Sequence, residues 1–233
     1  MKFSPVPLSK EKHLKTCISQ NGTTEHIEKM HLAPVYIYEL PEAAVNYPIL
    51  FLKEDNELPK AILMWGLEPE ENLYVRQNKW YGGFMPSILK LFPFVASDTK
   101  EKDKLALGIY EDAHIVNETE GERILNDDGS KSAWFTDVVS HMKRIIEHEE
   151  ATLAALKILD TMDLFVPQEL KIQPPEGNEI IIGGFSVIDR NKFYSLNDEQ
   201  INELKSQDLL EPIFAHFISL NNIGKLIRLK YHN

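Results

Sequence analysis

The sequence predicts an α+β protein, with a mostly antiparallel sheet from the N-terminal half and helices mainly from the C-terminal half. Segments rich in β-branched and aromatic residues are concentrated before residue 110. Over residues 132–162, apolar residues recur largely at steps of three and four, which is the period of an amphipathic helix. Strand-like and helix-like segments do not alternate regularly, so the order of elements disfavours a doubly wound parallel sheet.

Strand-like segments dominate the first half of the chain. Pro34 favours the edge of a sheet or the entry to a strand, and Pro41 suits the first position of a helix. The polar stretch 54–57 predicts a hairpin turn between two apolar segments. The expected elements, in chain order, are a strand at 31–38, a helix at 41–47, strands at 48–53 and 60–65, a helical turn at 86–91, a strand at 104–110 and a tight turn at 127–129.

Helical periodicity marks the second half. A helix is expected over residues 132–162, although the polar run 147–150 interrupts the apolar pattern. Ser195, followed three residues later by Asp198, resembles a capping box and predicts the start of the final helical region. Between these helices we expect two strands, at 179–182 and 185–188, joined by a turn at Gly183-Gly184.

The charge balance excludes a general nucleic-acid binder. The chain carries 36 Asp and Glu residues against 25 Lys and Arg residues, which gives a formal net charge of -11. Proteins that bind nucleic acid need clustered cations to neutralise phosphates. Both ends are nevertheless basic, and residues 221–233 contain Lys225, Arg228 and Lys230 without an acid. Solvated termini are the simplest interpretation, with an acidic partner or a membrane surface as the alternative.

Hydropathy and cysteine content predict a cytoplasmic protein that does not span a membrane. No apolar run approaches the roughly 20 residues that a spanning helix needs. The N-terminus lacks the apolar stretch of a secretory signal. Cys17, the single cysteine, can form neither an intrachain disulfide nor a four-ligand Cys/His zinc site unaided.

No common catalytic or cofactor motif is present. The sequence lacks the P-loop pattern, the G-x-G-x-x-G dinucleotide pattern and the G-x-S-x-G nucleophile elbow, so we expect no cofactor. We also expect no metal site, because His141 and His148 do not have the spacing of helical metal motifs. One alternative is iron held by His26, Glu28 and the distant His114, since H-x-[DE] is half of an iron facial triad.

The most unusual stretch is residues 72–86, here called the aromatic segment. It combines four aromatic residues with the polar Asn72 and Arg76. Aromatic side chains with polar tips suit a half-wet pocket, so the segment could line a ligand or partner site. It could equally be an ordered loop that plugs the sheet. The candidate binding residues, including two from the C-terminal region, are Asn72, Arg76, Trp80, Tyr81, His216 and Ser219.

His216 has two interpretations. It follows Phe214-Ala215 in an apolar helical stretch, where a buried histidine with satisfied hydrogen bonds is expected. A histidine that shares a pocket with Trp80 and has a perturbed pKa would instead favour an enzyme. Both interpretations stay open at the level of sequence.

Several short fragments together resemble the bacterial SapC family. They occur in order across residues 31–230, and one departure lies at Lys90-Leu91, where the family tends to carry arginines. An anion-binding role of those arginines is therefore not carried over. The fragments are residues 38–53, Gly66-Leu67, residues 71–75 with Trp80 and Met85-Pro86, Phe92-Pro93-Phe94, Asp128-Gly129, residues 184–189 and residues 215–222.

The resemblance implies a single SapC-like domain over residues 1–233. It also implies a non-catalytic accessory or binding protein, linked to surface-layer biogenesis or to protein modification, with a protein partner or a small ligand. The family is named after surface-layer gene clusters of Gram-negative bacteria and has no established activity. Similar products lie beside iron/2-oxoglutarate oxygenases and flavin-dependent halogenases, so the alternative is an unrecognised enzyme with a pocket near residues 72–86.

Overall fold

The computed structural model describes residues 4–54, 57–98 and 105–231, which form antiparallel sheets and helices. The α+β prediction is confirmed. The strands are β1 (Val6–Pro7), β2 (Cys17–Ile18), β3 (Leu32–Pro34), β4 (Ile49–Leu52), β5 (Lys60–Met64), β6 (Val75–Arg76), β7 (Lys79–Trp80), β8 (Phe94–Asp98), β9 (Leu105–Ile109), β10 (Val116–Asn117), β11 (Glu122–Arg123), β12 (Phe165–Ile172) and β13 (Ile180–Ile188). The α-helices are α1 (Lys10–His13), α2 (Leu40–Ala43), α3 (Ala133–Thr161), α4 (Arg190–Tyr194), α5 (Asp198–Ser206), α6 (Leu210–Ser219) and α7 (Ile223–Tyr231). Short 3-10 turns lie at Ile37–Glu39, Leu89–Leu91 and Leu220–Asn222.

The chain divides into two compact units, and the first takes residues 1–26 and 87–146. Its strands form two small antiparallel sheets, in the orders β1-β9-β8 and β10-β2-β11. Phe94 and Phe135 are buried with their ring centroids 5.1 Å apart, which gives this unit an aromatic core. The single-domain expectation for residues 1–233 stays a prediction.

The second unit takes residues 27–86 and 147–233 and holds the five-stranded antiparallel sheet β12-β13-β4-β5-β3. The central strands β4 and β5 are almost entirely buried, which explains their near-continuous apolar sequences. Helix α6 packs against α2 and reaches β4 and β13. Trp65, Tyr47 and Phe51 are the largest fully buried side chains of this core. The unit therefore has its own well-filled hydrophobic centre.

The five-stranded sheet takes two of its strands from the C-terminal half. β12 was not predicted, and β13 is one strand where the sequence predicted two strands and a turn. Gly183 and Gly184 lie inside β13, opposite the single residue Glu169, where the pairing with β12 shifts. Gly184 has a φ of +82°, which glycine adopts without strain. The glycine pair thus forms a β-bulge, and the predicted turn was wrong.

Helix α3 runs without a break through the polar run that interrupts its apolar pattern. The side chains of Glu147, Glu149 and Glu150 are exposed, and glutamate is a good helix former, so the run lies on the solvent side without ending the helix. The start of α5 was misplaced by two residues. Asn197 is its N-cap and pairs reciprocally with Gln200 in a capping box.

Other boundaries differ by a few residues. The strand expected at 31–38 ends at Pro34, and Ile37–Glu39 forms a 3-10 turn instead. The expected turn at 54–57 includes residues 55–56, and the strand expected at 104–110 begins at residue 104. These three residues lie outside the described part of the chain. Within the described ranges, no helix is long and apolar enough to cross a membrane.

Candidate functional site

The aromatic segment folds around a tight hairpin. Val75 pairs with Trp80, and Arg76 pairs with Lys79. The two loop residues, Gln77 and Asn78, have φ values of 48° and 58°, as a two-residue turn that matches the twist of the strands requires. The pleat of the hairpin leaves Trp80 half-buried, whereas Arg76 and Lys79 are exposed. The hairpin therefore has an anchoring face and a solvent face.

Aromatic packing and hydrogen bonds fix the anchoring face. The ring of Trp80 lies 4.7 Å from that of Trp65, and Tyr74 meets Tyr47 edge-on at 4.9 Å. The hydroxyl of Tyr47 donates to the carbonyl of Phe84 at 2.7 Å and accepts from its N–H at 3.1 Å. Burial raises the pKa of Tyr47 to about 12, so the phenol is neutral and can donate at physiological pH. These contacts pack one side of the segment into the hydrophobic core.

Asn72 supports the segment from inside. Its side chain is buried, and its Nδ2 donates to the carbonyl of Ile27 at 2.8 Å. Its Oδ1 accepts the backbone N–H of Tyr74 at 3.0 Å. Both ends of the amide are used in holding the backbone, so the candidate Asn72 acts as a structural residue here.

The solvent face of the segment forms one wall of a groove of about 530 Å³. Tyr81 is 61% exposed, and Arg76 and Gln77 are also exposed. Helix α7 supplies the facing residues, Lys225 and Leu229, which are one turn apart. We call this site the tyrosine groove, and it is lined by Asn46, Leu73, Tyr74, Arg76, Gln77, Tyr81, Gly83, Lys225 and Leu229.

The charged residues that line the tyrosine groove are both cations, Arg76 and Lys225. Lys225 Nζ donates to the carbonyl of Asn46 at 3.4 Å and lies 5.8 Å from the centre of the Tyr74 ring. Among the described residues, neither cation forms an ion pair, whereas Lys230 on the same helix is paired with Glu68 and Glu71 at 2.7 and 2.9 Å. The groove is thus a basic site on an acidic chain.

His216 and Ser219 are buried in the core and are not among the residues that line the groove. His216 is fully buried; its Nε2 accepts from the N–H of Ile188 at 3.1 Å, and its Nδ1 donates to the carbonyl of Ile49 at 3.1 Å. Burial lowers the pKa of His216 to about 4, against an opposing hydrogen bond to Ile49, so the ring is neutral at pH 7. Ser219 Oγ donates to the carbonyl of His216 at 2.7 Å and accepts from the N–H of Ile49 at 3.0 Å.

The structure therefore separates the six candidates. Arg76 and Tyr81 line the groove, Trp80 and Asn72 hold the segment that forms it, and the remaining two join strands to α6. Sequence reasoning missed several groove residues. The basic run at 221–233 contained a signal for Lys225, but Asn46, Gln77 and Leu229 carried no pattern that distinguishes them.

The iron hypothesis gains no support. Within the part of the chain that the structure describes, no group of three or more His, Cys, Asp or Glu side chains could hold a metal ion. The ring of His26 stacks on Phe92 with centroids 4.2 Å apart, and the side chain of His114 is 75% exposed. The imidazole of His26 is therefore part of an aromatic stack in the first unit.

The fold and the groove together define an α+β protein with an open, cation-lined groove. The family model for SapC matches residues 8–226, which leaves only seven residues at each end. The chain belongs to the SapC family. No curated protein and no solved structure gives a significant match.

Proposed function

We propose that the chain is a non-catalytic binding protein that holds a partner in the tyrosine groove. One observation carries this proposal. The aromatic segment buries Phe84 and half-buries Trp80, yet it leaves Tyr81 and Arg76 exposed beside α7. Exposed tyrosine and arginine side chains are enriched where proteins bind one another, because they combine a large contact area with hydrogen-bonding tips.

The alternative is an enzyme with a pocket near residues 72–86. His216 and Ser219 are the residue types that such an enzyme would use. Each already has its hydrogen-bond partners, and both are fully buried. A general base must reach the proton that it removes, and a neutral ring that bonds two backbone groups has no free nitrogen for this. Binding is therefore the better-supported function.

In the cell, we propose a cytoplasmic accessory role in surface-layer biogenesis or in protein modification. Membership of the SapC family supports this role. The partner would be a protein, with a small ligand as the alternative. Separation of bacterial cells into cytoplasmic, membrane and envelope fractions tests the location, and recovery of the chain mainly in the envelope would contradict it.

Photocrosslinking from a single position tests the binding function. A photoreactive phenylalanine derivative replaces Tyr81 in the full chain, inside native cells. The matched control places it at Tyr194, which is 66% exposed against 61% for Tyr81 and does not line the groove. We expect a discrete adduct from position 81 and none of the same size from position 194. The same adducts from both positions, or none from position 81, would overturn the proposal.

A further inference from the structure

We propose that the tyrosine groove recognises an acidic peptide segment, whose carboxylates bind Arg76 and Lys225. This inference rests on the proposed function and names the kind of partner. It follows from the charge of the groove, the contacts that restrain Lys225 and the openness of the groove to solvent.

Charge is the first argument. The chain as a whole carries a net charge of -11, so long-range electrostatics disfavours the approach of an acidic partner to most of its surface. The charged lining of the groove is nevertheless entirely cationic. Arg76 and Lys225 have no carboxylate partner within the described ranges, although acids neutralise the neighbouring Lys230. A partner that supplies carboxylates would form ion pairs with these two side chains, and the local positive charge would direct it to this site.

Both cations are carried by ordered elements, Arg76 by the hairpin and Lys225 by α7. Arg76 belongs to a hairpin whose turn residues and whose half-buried Trp80 fix the backbone. Its guanidinium offers a planar fork that matches a carboxylate. Lys225 already contacts the carbonyl of Asn46 and the face of Tyr74, which restrains its ammonium group and leaves further N–H donors for a ligand. The restraint on Lys225 reduces the side-chain entropy that this residue loses on binding.

The openness of the groove favours a polypeptide over a small molecule. Sites for small molecules usually enclose about 70–90% of the ligand surface. Here Tyr81 is 61% exposed, and Arg76 and Gln77 also face solvent. Gly83 forms part of the groove surface, and a Cβ at this position would overlap the side chain of Asn46. The amides of Asn46 and Gln77 can bond the backbone of an extended chain, while the cations bind its acidic side chains.

Fluorescence anisotropy with two labelled octapeptides tests the inference. One alternates glutamate with glycine, and the other alternates glutamine with glycine. We expect the glutamate peptide to bind about tenfold more tightly, as a charge-assisted hydrogen bond predicts. Its affinity should also fall when the salt concentration rises from about 0.05 M to about 0.5 M, because exposed charges are screened. Equal affinity for both peptides, or no binding of the glutamate peptide, would overturn the inference.

Matched variants show whether the groove is the site. The groove variant is R76Q with K225Q, and the control is K157Q with K205Q, which removes two exposed cations of the same unit elsewhere. Both pairs change the net charge equally, and thermal unfolding followed by circular dichroism verifies that each variant is folded. We expect the groove variant to lose at least about tenfold in affinity and the control to change less than about twofold. If the groove pair fails to fold, R76Q alone serves, since Arg76 is exposed.

Photocrosslinking from position 81 and binding of the glutamate peptide together separate this inference from the proposed function. A discrete adduct from position 81 without binding of the glutamate peptide would leave a binding protein whose partner is not acidic. Equal losses of affinity in the groove and control variants would show a general charge effect and overturn the groove as the acidic-peptide site.

Discussion

The imidazole of His216 accepts a hydrogen bond from the backbone N–H of Ile188 at 3.1 Å. The same ring donates to the carbonyl of Ile49, also at 3.1 Å. Ser186 pairs with Phe51, and continuing this antiparallel register by two residues brings Ile188 opposite Ile49. The ring therefore stands in place of a direct hydrogen bond between β13 and β4. The side chain of His216, on α6, thus joins β13 and β4 where the two strands separate.

Removal of this ring should weaken the second unit. H216A leaves the N–H of Ile188 and the carbonyl of Ile49 buried without their partner, so we expect the free energy of unfolding to fall by about 3 kcal/mol. Urea denaturation measures this change. H114A is the control, because the His114 side chain is largely exposed, and it should change stability by less than about 0.5 kcal/mol. Similar losses in the two variants would contradict the bridging role.

Acid should destabilise the protein through two histidines. Burial is the main reason that the pKa values of His26 and His216 fall from 6.5 to about 4. The unfolded chain therefore binds protons first. Stability from these groups is complete above pH 6.5 and is lost as the pH falls towards 4, by at most about 3 kcal/mol per histidine.

The ring C–H signals of these two histidines, followed by NMR between pH 7 and 4, measure the pKa of each ring in the folded protein. They should titrate well below pH 6, while the protein remains folded. Titration of both rings near pH 6.5 would show that the burial does not have the assigned consequence.

A methyl group at position 82 should disturb the anchoring of the aromatic segment. In G82A the new Cβ would overlap the ring of Trp80 and the hydroxyl of Tyr47, both of which are packed in place. We expect a loss of about 1–3 kcal/mol in unfolding free energy, with a shift in tryptophan fluorescence. G22A is the matched control, because a Cβ at Gly22 would meet no atom within 4 Å. An unchanged melting temperature of G82A would be incompatible with this packing.

The start of α5 can be tested by two neighbouring substitutions. Asn197 accepts the N–H of Gln200 at 2.9 Å, whereas the Ser195 hydroxyl donates to the carbonyl of Lys192 near the end of α4. N197A should therefore cost about 1 kcal/mol, and S195A less than about 0.5 kcal/mol. Thermal unfolding of both variants provides the comparison. A larger loss of unfolding free energy for S195A would show that Ser195, the residue that the sequence pattern favoured, is the N-cap.

Much of the fold was predictable from local pattern. The strands at β4 and β5 are continuous apolar runs, and the period of α3 is visible despite its polar interruption. β12 was not visible, because Pro167, Glu169 and Lys171 break its apolar pattern. Such residues suit an exposed edge strand, and only the pairing with β13 establishes it. Glycine adopts the backbone conformations of a β-bulge and of a turn equally well, so a glycine pair in the sequence does not distinguish the two.

The site was predictable in part. The cluster around Arg76 and Tyr81 is local, and composition alone distinguishes it. Lys225 comes to the groove from the far end of the chain, so its place depends on tertiary packing that no local pattern encodes. For His216, the residue type is equally compatible with a catalytic role and with a structural role. Only its two backbone partners decide between them.

The division of the aromatic segment into two faces has a consequence for how SapC proteins diverge. Trp80 and Asn72 hold the hairpin, while Arg76, Gln77 and Tyr81 project from it without contributing to the core. Substitutions at the projecting positions can then retune partner choice while the scaffold stays intact. Sequence differences between relatives at these three positions should track the partner of each protein, whereas differences at the holding positions should require compensating changes in the core.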